Sequence, residues 1–323
     1  MNTTIEITTR HFDIPSDTPG IQLHVRNKRA AGETRFGEAD TVLLMHGATY
    51  SAGSLYDTPV EGESFMDYLA RRGFDVYAVD VRGYGESSRP LEMSLPAEQN
   101  LPAGGTHTGI RDFGAALRFV LHSTSLPHIN VIGMSWGGTV TGAYTAEHPH
   151  HVRRLGLIAP QWVSREPIPL DVGGTLGAYR VVHADAALQR WVNAAPATRQ
   201  AALIPPGTFD AWLENAVRTE PDAQLRANRS FRAPNGPLHD IRQFWAAGKP
   251  FYEPSRIEVP VLLLHGEWDV DIPLPLAAAF FAELKAAPTR RWLEIGEATH
   301  MLVLERHRRI AFDALAAFLR EAP

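Results

Sequence analysis

The chain contains no cysteine. Disulfides, thiolate metal sites and a cysteine nucleophile are therefore excluded. It also lacks any apolar run approaching the roughly 20 residues needed to cross a bilayer. There is no basic excess: the formal net charge is -5. That balance offers no electrostatic footprint for nucleic acid or an anionic membrane. The opening residues, Met1-Asn2-Thr3-Thr4-Ile5-Glu6, carry neither the basic nor the apolar stretch of a secretory leader. Internal repeats and low-complexity segments are absent too. These absences lead to the expectation of a cytoplasmic protein that acts on a small molecule and binds neither nucleic acid nor membrane.

What is present is an ordinary globular composition, 44% hydrophobic and 21% charged over 323 residues. That length suits one large α/β domain or two small ones and can bury a sizeable core. Residues 5–14 and 21–27 read as an antiparallel strand pair around the turn-rich Pro15-Ser16-Asp17-Thr18-Pro19-Gly20. Short apolar runs at 41–45, 76–81 and 155–159 read as buried strands, the apolar run 129–134 as the strand before the serine motif, and 259–264 and 292–295 as further strands. Helical patterns at 64–72, 112–122, 136–147, 277–285 and 308–319 alternate with them. This alternation predicts a mostly parallel sheet covered by helices.

From 161 to 255 the pattern changes. No strand is evident there, and helical pieces at 176–194, 209–219, 222–231 and 238–247 are broken by prolines. The expected organisation is an α/β core formed by 1–160 and 256–323, with a helical cap, 161–255, inserted after the sixth strand. Ligands of such sheets bind beyond the carboxyl ends of the strands, which is where the insert would sit.

The chemistry centres on Ile132-Gly133-Met134-Ser135-Trp136-Gly137-Gly138. An apolar strand runs into Gly-x-Ser-x-Gly, and a helix follows at once, the order a nucleophile elbow requires. The flanking glycines allow a turn so tight that a Cβ would collide with its neighbours. Ser135 is thus the candidate nucleophile. A serine hydroxyl needs a base, and the base needs an orienting acid. Of 14 histidines, His300 lies between the last strand and the last helix, so its loop emerges at the same sheet edge as Ser135. His307 reads as part of the final helix. The His148-Pro149-His150-His151 cluster reads as solvated loop on the far side. Asp269 follows the strand ending at Leu264-His265-Gly266 and is the candidate acid, with Asp271 and Glu267 as rivals. The backbone N–H groups of Trp136 and Ala48, the latter in His46-Gly47-Ala48, are the candidate oxyanion donors. No metal or cofactor is implied.

Taken together these residues resemble the α/β-hydrolase fold family. The carriers are His46-Gly47, Asp80-Val81-Arg82-Gly83-Tyr84-Gly85-Glu86-Ser87, Gly133-Met134-Ser135-Trp136-Gly137-Gly138, Gly266-Glu267-Trp268-Asp269 with Pro273, and His300. The resemblance implies an eight-stranded sheet, a Ser135–His300–Asp269 triad and a helical cap. Serine at the elbow separates the chain from members that use aspartate there. Trp136 is similar to the Ser-Trp-Gly of proline iminopeptidases, but the loop here reads His46-Gly47-Ala48-Thr49-Tyr50 and not His-Gly-Gly-Pro-Gly.

The expected function is a serine hydrolase cleaving a small apolar carboxylic ester or lactone. The alternatives are an aminopeptidase or amidase, an acyltransferase, and a non-catalytic small-ligand receptor on the same scaffold. An aminopeptidase would need carboxylates for the substrate ammonium, and Glu166, Asp171, Asp185, Asp210 and Glu214 are available in the insert. Thr49, Tyr50, Met134 and Trp162 are expected to line the pocket, with the insert's many aromatic residues making it apolar.

Overall fold

A computed structural model describes residues 5–322. Residues 1–4 and 323, which belong to the leader-segment reading and to the expected core bounds, lie outside the described residues. Eight strands form one sheet: β1 (Ile7–Pro15), β2 (Gln22–Ala30), β3 (Thr41–Met45), β4 (Asp75–Asp80), β5 (Ile129–Met134), β6 (Val152–Ile158), β9 (Val261–Gly266) and β10 (Arg290–Ile295). Two more, β7 (Tyr179–His183) and β8 (Ser230–Pro234), pair separately within the insert. The large sheet runs in the order β1-β2-β4-β3-β5-β6-β9-β10. β2 is antiparallel to both β1 and β4, and the remaining pairs are parallel.

Period-two geometry explains why the inner strands read as unbroken apolar runs. Along β3, Val42 and Leu44 join one core cluster while Leu43 and Met45 join the other. Val76 and Ala78 of β4 alternate with Tyr77 and Val79 in the same way. Each strand therefore buries both faces under helices. On one side Phe312 and Leu315 of the last helix, Arg308–Arg320, pack against the sheet. On the other, Phe113 and Leu117 of Thr106–Thr124 do so. The helix Phe65–Arg71 begins with a capping box in which Ser64 Oγ accepts from Asp67 N at 3.0 Å and Ser64 N donates to Asp67 Oδ2 at 3.2 Å.

The chain leaves β3 toward β4 on one side and returns to β5 on the other. This reversal opens a crevice at the carboxyl ends of β3 and β5. Both the His46-Gly47-Ala48 turn and Ser135 stand there.

The insert departs from its sequence-based expectation. Residues 176–194 do not form one helix: β7 comes first, and a helix follows at Ala184–Asn193. The helix expected over 222–231 spans only Ala223–Ala227, capped by Asp222, before β8 begins. β7 and β8 pair antiparallel, with Val182 opposite Phe231. Each is five residues long and abuts a helix, so local periodicity favours helix and hides the distant partner. The insert is tied to the core by Asn215 to Thr58 (3.1 Å), Arg89 to the Thr219 carbonyl (2.8 Å) and Trp191 Nε1 to Glu305 (2.7 Å). Among the described residues, no helix is long and apolar enough to cross a membrane.

Candidate active site

Ser135 sits at φ 57° and ψ -122°, a conformation that costs about 1–3 kcal/mol for a residue with a Cβ. Its neighbours over-determine it. A Cβ on Gly133 would fall 2.4 Å from the Gly137 carbonyl oxygen, and one on Gly137 would fall 2.3 Å from that of His46. The elbow can close only without those side chains. Ser135 N is held by the Ile158 carbonyl at 2.8 Å, which ties the turn to β6.

Trp136 opens the helix Trp136–Glu147, so its N–H has no intrahelical partner. The N–H groups of Trp136 and Ala48 find no acceptor among the described residues. Both adjoin Ser135: Trp136 follows it directly, and a Cβ placed on Gly47, the residue before Ala48, would fall 3.2 Å from Ser135 Cβ. Fully buried His46 supports this arrangement. Its Nδ1–H donates to the Gly47 carbonyl at 2.8 Å, and Nε2 accepts from Val81 N at 3.3 Å. Burial holds its pKa below the ordinary value, against the pull of Asp80 and Gly47, so the ring stays neutral. Tyr84 OH and Arg180 Nη2 both donate to the Ala48 carbonyl, at 2.8 and 3.1 Å, and fix the peptide. The indole of Trp136 points elsewhere, donating to Thr106 Oγ1 at 2.9 Å inside the core.

His300 Nδ1 lies 2.8 Å from Asp269 Oδ2. The other oxygen of Asp269 accepts from Asp271 N and Ile272 N, both at 2.9 Å. The carboxylate is thereby oriented from behind. Of its rivals, Asp271 is bound by Arg190, and Glu267 accepts from Glu297 N at 2.8 Å. Burial alone would lower the His300 pKa. The Asp269 charge and hydrogen bond, reinforced by Asp271 and opposed by Arg190, outweigh it, and the pKa is raised. The Asp269 contact leaves Nε2 unpartnered among the described residues. Ser135 and His300 line one cavity, although no hydrogen bond joins them in this structure. Such bonds are often long until substrate is bound.

Behind His300 lies a residue the sequence did not single out. Glu305 is buried and accepts from Thr299 N (2.8 Å), Thr299 Oγ1 and Trp191 Nε1 (2.7 Å). Burial outweighs these bonds and pushes its pKa up to about 7. It pins the loop that carries His300 to the insert.

The cavity measures about 30 Å³, room for about one water molecule. Thr49, Tyr50 and Met134 line it and Trp162 does not. The Trp162 ring packs edge-on against Phe280, 5.4 Å between centroids, in the hydrophobic core. The insert's other aromatic residues are likewise absent from the lining. Trp212 packs on Trp191, Phe209 and Tyr50, and Trp245 stacks on Phe251. They hold the insert together. What the insert gives the cavity is Gln161, Ile168, Leu170 and Arg190. Among the described residues the buried Oε1 of Gln161 has no hydrogen-bond partner, so a polar acceptor stands at the wall. None of Glu166, Asp171, Asp185, Asp210 or Glu214 lines the cavity.

The His148-His150-His151 cluster follows the helix that starts at the elbow, at the opposite end of the sheet from Ser135. His151 Nδ1 lies 2.9 Å from Tyr144 OH there.

Comparison with known proteins shows what the chain is similar to. A 2-hydroxy-6-oxo-2,4-heptadienoate hydrolase of Pseudomonas putida is 29% identical over 130 residues, 40% of this chain and 41% of that protein. The match thus spans about two fifths of that relative's length. A serine hydrolase from the polyaromatic-hydrocarbon-degrading Cycloclasticus zankles superposes with a TM-score of 0.64 at 15% identity, covering 96% of this chain and 98% of the other. An enol-lactonase from Burkholderia xenovorans LB400 does so with a TM-score of 0.62 at 18% identity, covering 96% and 100%. At these identities the two structures show a shared fold. The sequence profile of the α/β hydrolase fold matches residues 40–307, most of the chain, and the protein belongs to that family.

Proposed function

We propose that the protein is a serine hydrolase that cleaves a carboxylic ester or lactone through an acyl-enzyme. One observation carries this reading: the Asp269–His300 pair, the strained Ser135 and the two free N–H groups meet at one cavity. Ser135 Oγ attacks the carbonyl carbon while His300 Nε2 takes its proton. Asp269 keeps the His300 proton on Nδ1 and stabilises the imidazolium. The Ala48 and Trp136 N–H groups hold the oxyanion. His300 then protonates the leaving alcohol and activates water to release the acid. The machinery uses no cofactor.

The insert, 161–255, serves as a cap over the core formed by the flanking segments. A cavity with room for about one water requires it to yield when substrate binds. A larger cavity of about 350 Å³ adjoins the first at Leu170 and is the natural seat for the remainder of the substrate. The lining favours an ester over an aminoacyl substrate. Asp271 in the first cavity is paired with Arg190, and of the two carboxylates in the adjoining one, Glu98 and Asp171, the latter is paired with Arg242.

The test is release of p-nitrophenol from p-nitrophenyl esters of graded acyl length, with Ser135→Ala in parallel. Turnover by the native protein should fall by at least about a thousandfold in the variant. Turnover unchanged in the variant would refute the nucleophile. A folded native protein that binds such esters without turning them over would favour a receptor.

One observation favours a second reading, an anionic substrate. Arg190 lines the cavity paired with Asp271, and a substrate carboxylate would take the place of that acid. The Pseudomonas putida relative is named for a dienoate, which carries a carboxylate. Esters bearing a terminal carboxylate should then outperform their neutral counterparts, and Arg190→Gln should erase that preference.

A further inference from the structure

Far from Ser135 in the sequence, three side chains converge on the edge of the sheet. His11 of β1 and His24 of β2 are diagonal neighbours on one face, since His24 stands opposite Asp13 and His11 opposite Arg26. Glu86, from the loop after β4, reaches the same point. His11 Nδ1 lies 3.0 Å from His24 Nε2, and Glu86 Oε2 lies 3.7 Å from that same His24 nitrogen. The three atoms all fall within 4.8 Å of one another.

Proton accounting makes this arrangement unusual. Asp13 Oδ1 lies 3.0 Å from His24 Nδ1 and places the His24 proton there. With a proton on Nδ1, the other ring nitrogen, Nε2, is the one that can offer a lone pair. Glu86 Oε2 presents another and accepts no hydrogen bond among the described residues, because Arg26 and Arg218 both bind Oε1, at 3.2 and 2.8 Å. Three acceptor-capable atoms thus face one another with a single His11 proton to share. A His11 proton can serve only one of the other two, whereas a cation between the three would be bound by all of them.

We propose that His11, His24 and Glu86 form a binding site for one divalent transition-metal ion of the zinc type. Zinc bonds of about 2.0–2.1 Å at tetrahedral angles separate ligand atoms by about 3.3 Å; the 3.0 and 3.7 Å separations bracket that value, and the His11–Glu86 separation, longer but within 4.8 Å, would close on the ion. Two imidazoles with one carboxylate suit zinc and its neighbours and are foreign to magnesium and calcium, which take oxygen ligands. Asp13 behind His24 supplies the carboxylate–histidine–metal relay that fixes the tautomer of a ligand. The buried side of the site is rigid: His24 is 5% exposed, and its backbone N–H donates to Ser87 Oγ at 2.7 Å. The open side meets solvent through a surface cavity of about 450 Å³, which leaves room for water as fourth ligand.

The neighbouring cations do not forbid the ion. Arg26 and Lys28 are each bound to Asp57, Lys28 also to Asp67, and Arg218 to Glu86. Carboxylates therefore accompany every positive charge. Because Glu86 Oε1 holds Arg218 of the insert helix Thr208–Arg218, the ion would brace β1, β2 and the insert together. Its role would be structural and separate from the chemistry at Ser135.

The experiment is titration of the metal-free full chain with Zn²⁺ by calorimetry, and with Co²⁺ by visible absorption. One ion per chain with a Kd in the micromolar range or tighter is expected, together with the intense d–d bands of a four-coordinate cobalt site. His11→Ala and His24→Ala should each weaken binding by at least tenfold, and Asp13→Asn by about 10–100-fold. His11 is exposed on an edge strand, so its variant keeps the fold even if the His24 variant does not. His148→Ala/His150→Ala, which removes the rival surface histidines, should leave binding unchanged. Absence of stoichiometric binding at micromolar Zn²⁺ overturns the proposal. So does binding that survives His11→Ala or is lost with His148 and His150.

Discussion

Ser135 and Ala48 reach the cavity on turns shaped within a few residues of themselves. Leu170 and Arg190 reach it on a segment held by contacts far along the chain: Arg180 to Ala48 spans 132 residues, Trp191 to Glu305 spans 114 and Arg190 to Asp271 spans 81. The first region is rigid because glycine-free alternatives collide with backbone, as at Gly133 and Gly137. The second is polar at its anchors and aromatic in its interior. A region fixed by steric exclusion tolerates little change, whereas one fixed by side-chain anchors can be moved by single substitutions. That division suits a fixed reaction centre beneath an adjustable wall.

The sharpest way to break the comparison is Asp269→Asn. If the strand-end machinery is catalytic, kcat should fall by about 10³–10⁴ with the fold intact, because the wrong His300 tautomer would face Ser135. The pH profile gives a second reading. Asp269 outweighs burial and raises the His300 pKa. Only the neutral ring acts as base, so kcat/KM should decline as pH falls through that raised value, and the residual activity of Asp269→Asn should decline at lower pH than the native enzyme. An acid limb that stays in place would show that another group governs it.

Glu305→Gln probes where the two regions meet. The folded pKa, about 7, lies above the ordinary 4.5. Native protein therefore binds this proton more tightly than unfolded chain. The associated stability is fully present below about pH 4.5 and is lost as pH rises through about 7. Urea unfolding across that window should show a decline in the native protein that is absent from the glutamine variant. Parallel profiles would refute a buried, titrating Glu305.

The smallest effect is expected at the wall. Leu170→Ala joins the two cavities and should shift acyl preference toward longer chains by several-fold in kcat/KM, with kcat on the best substrate changed little. Trp162→Ala should cost stability, about 3–5 kcal/mol as a core truncation, without shifting chain-length preference. A reversal of these two outcomes would place Trp162 at the pocket after all.

Much of this is legible in the sequence. Buried strands announce themselves as short apolar runs, and the β5–Ser135–helix junction carries its own glycine signature, so sheet and elbow could be read locally. His300 followed from its position between the last strand and the last helix. Glu305 could not be read in the same way, because nothing local marks a glutamate as buried until the insert covers it. β7 and β8 were missed for a related reason: each is short, and its partner lies about fifty residues away. Trp162 was misplaced because aromatic composition tells nothing of which way a ring turns.

By itself the sequence determined the core strands along the chain, the glycine signature of the elbow and the excluded chemistries that follow from having no cysteine. Each depends on interactions between near neighbours or on composition alone. Tertiary structure decided which carboxylate meets His300, which insert residues wall the cavity, and that His11, His24 and Glu86 share one point in space. Those outcomes depend on how separate elements dock, and docking is set by packing and long-range hydrogen bonds that no local pattern encodes.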